Sequence, residues 1–89
     1  MSIDRPAPLP MTPGLPYAEG AVPGTIQTCG AAHVYLCPCG CGQVYHAGHR
    51  VVSGSVETGD LTLQPSLWHN GEGQCGWHGW LQGGQFVGC

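Results

Sequence analysis

Hydrophobic and polar positions alternate only over short stretches of this chain, and glycine interrupts them repeatedly. From Cys29 onward the runs AAHVYL (31–36), QVYH (43–46), RVVSGSV (50–56), DLTLQ (60–64), GWLQ (79–82) and QFVG (85–88) are rich in aliphatic, β-branched and aromatic residues. Runs of this length between turn formers predict short β-strands, and no window carries a convincing helical period. Two connections are well specified. ETGD can join Val56 to Leu61, and Gly83-Gly84 is a two-residue hairpin loop because both residues tolerate positive φ. If those glycines form the loop, Gln82 pairs with Gln85, Leu81 with Phe86 and Trp80 with Val87, and His78 comes to face Cys89. Directly opposite residues project on the same face of a ladder, so Cys75, His78 and Cys89 are expected to gather there.

The first 28 residues read differently. RPAPLPMTPGLPYAEGAVPG holds most of the chain's prolines. Proline fixes φ and removes a backbone donor, so this stretch predicts an extended, partly polyproline-II-like arm, neither helix nor inner strand. The organisation expected is an arm at 1–28 and a β domain at 29–89. A domain of that size lies below the roughly 70–80 residues at which a hydrophobic core usually suffices alone, so something must staple it.

Charge narrows the function classes. The chain has 89 residues, 8% of them charged, no lysine and a formal charge of −3, with Arg5 and Arg50 the only fixed cations. Two arginines do not make the basic face that phosphate binding requires, so no nucleic-acid partner is expected. No run of about 18 apolar residues is present to cross a membrane. The N-terminus has no apolar h-region, so no secretory signal peptide is read there. The expected setting is a reducing cytoplasm, or a virion.

In such a setting six cysteines point to metal ligation before disulfides. Three of them, Cys37, Cys39 and Cys41, alternate in LCPCGCG and are too close in sequence to pair comfortably with one another. A second cluster, CGWHGW, supplies Cys75 and His78. Structural zinc takes four ligands, typically Cys₄, Cys₃His or Cys₂His₂. Two or three of Cys37, Cys39 and Cys41 are expected to join Cys75 and His78, with Cys89 as a reserve ligand. Spare thiolates leave a two-metal cluster open as well.

CGWHGW locally resembles the second half of a Rieske iron–sulfur motif, C-P-x-H-G. The upstream C-x-H that would supply a second histidine is absent, since C-P-C and C-G-C stand in its place. A wider resemblance covers residues 33–89. HVYLCPCGCGQVY, LTLQPSLW and CGWHGWLQGGQFVGC together resemble a family of short bacterial and bacteriophage proteins, found in phage genomes and beside bacterial ubiquitin-like conjugation genes. The resemblance implies a zinc-type site made of Cys37, Cys39, Cys41, Cys75 and His78. It carries over a site and a setting, and no activity.

The remaining candidates are weaker. His46 and His49, in HAGH, could ligate a second metal or act as acid and base, but a pair in a glycine-rich loop is more often solvated. His33 and His69 attract no role. Glu72 is the one acid near a metal-ligand candidate, and a small zinc hydrolase would need such a carboxylate to activate water. The cysteine-rich ligand set favours a closed structural centre instead. One or two of Trp68, Trp77 and Trp80 are expected to cover the metal knuckle as core, with Trp77 also a candidate interface anchor. Taken together these features describe a small all-β, zinc-stapled, glycine-rich domain with a binding or architectural role, more a scaffold than an enzyme. The arm would engage a protein partner or neighbouring copies in a larger assembly such as a phage particle. The alternatives are an accessory protein of a bacterial ubiquitin-like system, a Rieske-like electron carrier and a small zinc hydrolase.

Overall fold

A computed structural model describes residues 8–64 and 66–88. Cys89 and residues 1–7 of the arm therefore lie outside the described residues. Ten strands and no helix form among those described: β1 (Leu9–Pro10), β2 (Thr12–Pro13), β3 (Thr25–Cys29), β4 (Ala32–Leu36), β5 (Val44–Ala47), β6 (Arg50–Ser53), β7 (Thr62–Gln64), β8 (Leu67–Trp68), β9 (His78–Gln82) and β10 (Gln85–Gly88). They build one four-stranded sheet in the order β1-β10-β9-β8, a second in the order β2-β3-β4-β5, and a two-stranded ladder β6-β7. All six runs read from the hydrophobic pattern become strands, within a few residues at their ends.

The β9–β10 hairpin has the predicted register: Gln82 opposite Gln85, Leu81 opposite Phe86 and Trp80 opposite Val87. Its loop glycines stand at φ +56° and +81°. Gly84 is the more constrained of the two. Its amide donates to the Leu61 carbonyl at 2.9 Å, and a Cβ there would overlap the carbonyl oxygen of Gly59. Gly84→Ala should therefore cost at least about 2 kcal/mol, lowering Tm by roughly 10 °C or more. Gly20, at φ +80°, has open space around it, so Gly20→Ala should lose only the backbone term, about 1 kcal/mol. Equal Tm losses for the two variants would show that the overlap at Gly84 is absent.

The three sheets share one core. Tyr35 and Ile26 come from the second sheet, Leu81 and Phe86 from the first and Leu63 from the ladder, all with at most 2% exposure. Alternation explains the selection: on β9, Gly79 and Leu81 point inward and are buried, while His78, Trp80 and Gln82 face outward. That outward row carries polar and aromatic groups needed for no core contact.

The arm departs from the separate element its prolines suggest. β1 pairs with β10, placing Leu9 opposite Phe86, and β2 runs parallel to β3. The Met11 amide donates to the Gly84 carbonyl at 2.7 Å, and the side chain of Met11 is buried in the core. Both proline-bearing strands are sheet edges, where a missing N–H costs no ladder bond. Residues 25–28, grouped with the arm in the sequence, belong to β3, an inner strand between β2 and β4. Thr25 and Ile26 are buried there and pack the strand into the core. Over residues 9–14 the arm thus lies on the chain's own sheets and ties the two together.

Candidate metal centre and serine–histidine pair

Two hairpin tips meet at one end of the molecule. The first, 37–43, connects β4 to β5: the Cys37 amide donates to the Gln43 carbonyl at 2.9 Å, and the Gly40 amide to the Cys37 carbonyl at 3.3 Å. Gly40 and Gly42, at φ +89° and +83°, let the backbone reverse around the cysteines. The second tip, 69–77, connects β8 to β9. Its base is closed by the His69 amide donating to the Trp77 carbonyl at 2.8 Å and the Gly76 amide donating to the His69 carbonyl at 2.7 Å. Gln43 Nε2 donates across to the Gly73 carbonyl at 3.2 Å, and the Cys75 amide donates to the Tyr45 hydroxyl at 3.1 Å. These two bonds tie tip to tip.

The sulfurs of Cys37, Cys39, Cys41 and Cys75 consequently all lie within 4.8 Å of one another, an arrangement that could hold a metal ion. Cys37 Sγ is 3.1 Å from Cys39 Sγ and 3.5 Å from Cys75 Sγ. Cys37 is fully buried while the other three are exposed, so the group sits at the surface with one inner corner. Four thiols this close cannot all ionise without a cation among them. Burial pushes the Cys37 thiol up. At Cys75 burial also opposes ionisation, but hydrogen bonds from Tyr45, the Trp77 backbone, His69 and Cys37 outweigh it and hold the thiol down at about 5.

His69, to which the sequence assigned no role, is buried against this group. Its Nδ1 lies 3.4 Å from Cys75 Sγ and 3.6 Å from Cys37 Sγ, and its Nε2 lies 2.6 Å from the Tyr35 hydroxyl. Burial pushes the Tyr35 phenol up, so it keeps its proton and donates to Nε2. Nδ1 faces the sulfurs. The ring stacks on Tyr45 at 3.6 Å between centroids. No spacing rule points to this histidine, because β4 and β5 supply the surfaces that bury it.

His78 stands elsewhere. It is not one of the four-sulfur group, and its Nε2 lies 3.1 Å from Ser66 Oγ. Strand direction explains the separation: the outward face of β9 carries His78 away from the core side of the tip. Trp68 is its cross-strand partner, with the rings stacked at 5.0 Å, and Trp80 lies on its other side at 5.6 Å. Ser66 precedes β8 and is half-buried. Its carbonyl oxygen accepts a hydrogen bond from His49 Nε2 at 3.0 Å; His49, expected to be solvated, anchors the segment that carries the serine. Ser66 also lines a cavity of about 640 Å³ with Arg50, Thr62, Gln64, Trp80 and Gln82. Glu72 is exposed in the turn of the second tip, and His46 is exposed with Tyr17 Oη at 3.5 Å. The sequence assigned no role to Ser66; it stands in QPSLW, nine residues before Cys75, and only pairing of β8 with β9 brings it to His78.

Fold and site together define a small all-β domain whose two hairpin tips present a metal-type thiol cluster and whose outer face presents a serine–histidine pair beside a cavity. The chain belongs to the family described as bacterial ubiquitination-like system serine protease (BubE), whose model matches residues 12–89. No curated protein and no solved structure matches it. Of the settings read from the sequence, the family carries the ubiquitin-like one. No helix among the described residues is long and apolar enough to cross a membrane.

Proposed function

We propose that this chain is a serine-type peptidase of a bacterial ubiquitination-like system, with Ser66 as nucleophile and His78 as its general base, on a domain stapled by one zinc ion. The observation that carries the reading is the 3.1 Å approach of His78 Nε2 to Ser66 Oγ at the edge of a cavity. A weakly acidic hydroxyl becomes a useful nucleophile when a base within hydrogen-bond reach takes its proton. Ser66 Oγ would attack the carbonyl carbon of a peptide bond while His78 Nε2 accepts the hydroxyl proton. His78 would then return that proton to the departing amine, leaving an ester on Ser66. A water molecule, deprotonated by His78, would hydrolyse the ester and release the acid.

The chain's other residues support that geometry. Trp68 and Trp80 flank the His78 ring and restrict its rotation. His49 restrains the Ser66 carbonyl and thereby the backbone from which Oγ projects. The four thiols fit zinc: at Zn–S distances of about 2.3 Å a tetrahedron has sulfur–sulfur edges of about 3.8 Å, within the spread found here. An all-sulfur set leaves no open ligand position, so the ion would supply cross-linking and charge neutralisation to the two tips. Cys75 and His78 lie three residues apart, as do Ser66 and His69. Holding the tip thus holds the serine strand and the histidine strand in register.

A fluorophosphonate probe tests the assignment directly, since it phosphonylates only an activated serine. Incubation with the native protein should give one adduct per chain, and peptide mapping should place it on Ser66. An adduct on another serine, or none under conditions where the protein is folded, would overturn the reading.

A further inference from the structure

Among the described residues that line the cavity beside Ser66, one is charged. Arg50, the first residue of β6, lines it with neutral partners: Thr62, Gln64, Trp80 and Gln82. Register explains the gathering, because Arg50 stands opposite Gln64 on the β6–β7 ladder and Ser66 follows two residues later. No carboxylate among the described residues lines the cavity. Asp60, in the turn that joins the two strands of this ladder, accepts hydrogen bonds from the Ser55 amide and the Thr58 hydroxyl. Arg50 is moreover the only arginine among the described residues of a chain that has no lysine and carries a formal charge of −3. A guanidinium among neutral cavity residues, on an acidic protein, suits recognition of an anion: its planar fork matches a carboxylate in two parallel hydrogen bonds.

Building on the peptidase reading, we propose that this cavity is a carboxylate-binding subsite in which Arg50 selects substrates bearing an acidic group near the scissile bond. The carboxylate comes either from an Asp or Glu side chain or from a chain terminus a few residues past the cleavage point. Arg50 is exposed, and water competes for it, so the preference is moderate: about fivefold between an acidic and an isosteric neutral substrate, the upper end for an exposed pair.

The test uses a neutral decapeptide through which a single Glu or Gln is scanned, each made as the free acid and as the C-terminal amide. Binding is read by calorimetry on the Ser66→Ala protein, so that recognition is measured apart from turnover. Cleavage by the native protein is read in parallel as kcat/KM ratios. At least one Glu peptide should bind about fivefold or more tightly than its Gln twin, or the acid forms should exceed the amides by that factor. The first result assigns a side-chain carboxylate and the second a terminal one. Arg50→Gln should level the ratio and Arg50→Glu should invert it in favour of a Lys-scanned series. Equal affinity for all four peptide types, or a preference that survives Arg50→Gln, would overturn the inference. Charge-selective binding without any cleavage would instead count against the peptidase reading and leave the subsite standing.

Discussion

Ser66→Ala is expected to lower peptidase turnover by about three to four orders of magnitude while changing stability by no more than about 1 kcal/mol. The hydroxyl is half-buried and its polar side-chain partner among the described residues is His78, so its removal leaves no deeply buried group unsatisfied. His78→Gln should fall to a similar level, because a serine without its base is a weak nucleophile. The double variant should be no slower than either single one, since two members of a catalytic unit are lost together at first loss. Measurement of kcat/KM for the four proteins on one peptide, with thermal melts alongside, decides the matter. Retention of more than a tenth of the activity in Ser66→Ala, or multiplicative losses in the double variant, would remove Ser66 and His78 from the chemistry.

The second large effect concerns the thiol cluster. Purified protein should contain about one zinc per chain, and a strong chelator should abolish the folded near-ultraviolet dichroism and the activity together. In small metal-stapled domains the binding free energy, about 10 kcal/mol or more, is also folding free energy, whereas a core this small supplies only about 3–5 kcal/mol. Cys75→Ser should lose the metal and fold poorly, since it removes the one thiol of the four-sulfur group that the second tip contributes. His78→Gln should keep full metal occupancy and lose only activity. This contrast separates the two histidine-bearing hypotheses: a His78→Gln protein purified with markedly less zinc would return His78 to the ligand set. Proton release on metal uptake is a further sign, because burial holds the Cys37 thiol protonated until a cation displaces the proton.

Strand positions and the β9–β10 register were legible because they depend on local alternation and on two glycines whose φ is unusual for any other residue. The first cysteine cluster was legible for a related reason: C-P-C-G-C-G is a turn in itself, with glycines where the backbone must reverse. Cys75 followed from its thiol alone. His78 illustrates the limit. Its spacing from Cys75 suits a metal knuckle, yet it begins β9, and the pleat of that strand sends its ring to the outer face.

By itself the sequence determined an all-β domain and a crowd of thiols in need of a cation, since each follows from local chain chemistry. Tertiary structure decided the rest. It chose which cysteines meet, buried His69 beneath them, folded the arm onto its own sheets and set Ser66 against His78. These are contacts between strands distant in sequence or projecting on opposite faces, and side-chain spacing along a chain carries no information about which face meets which.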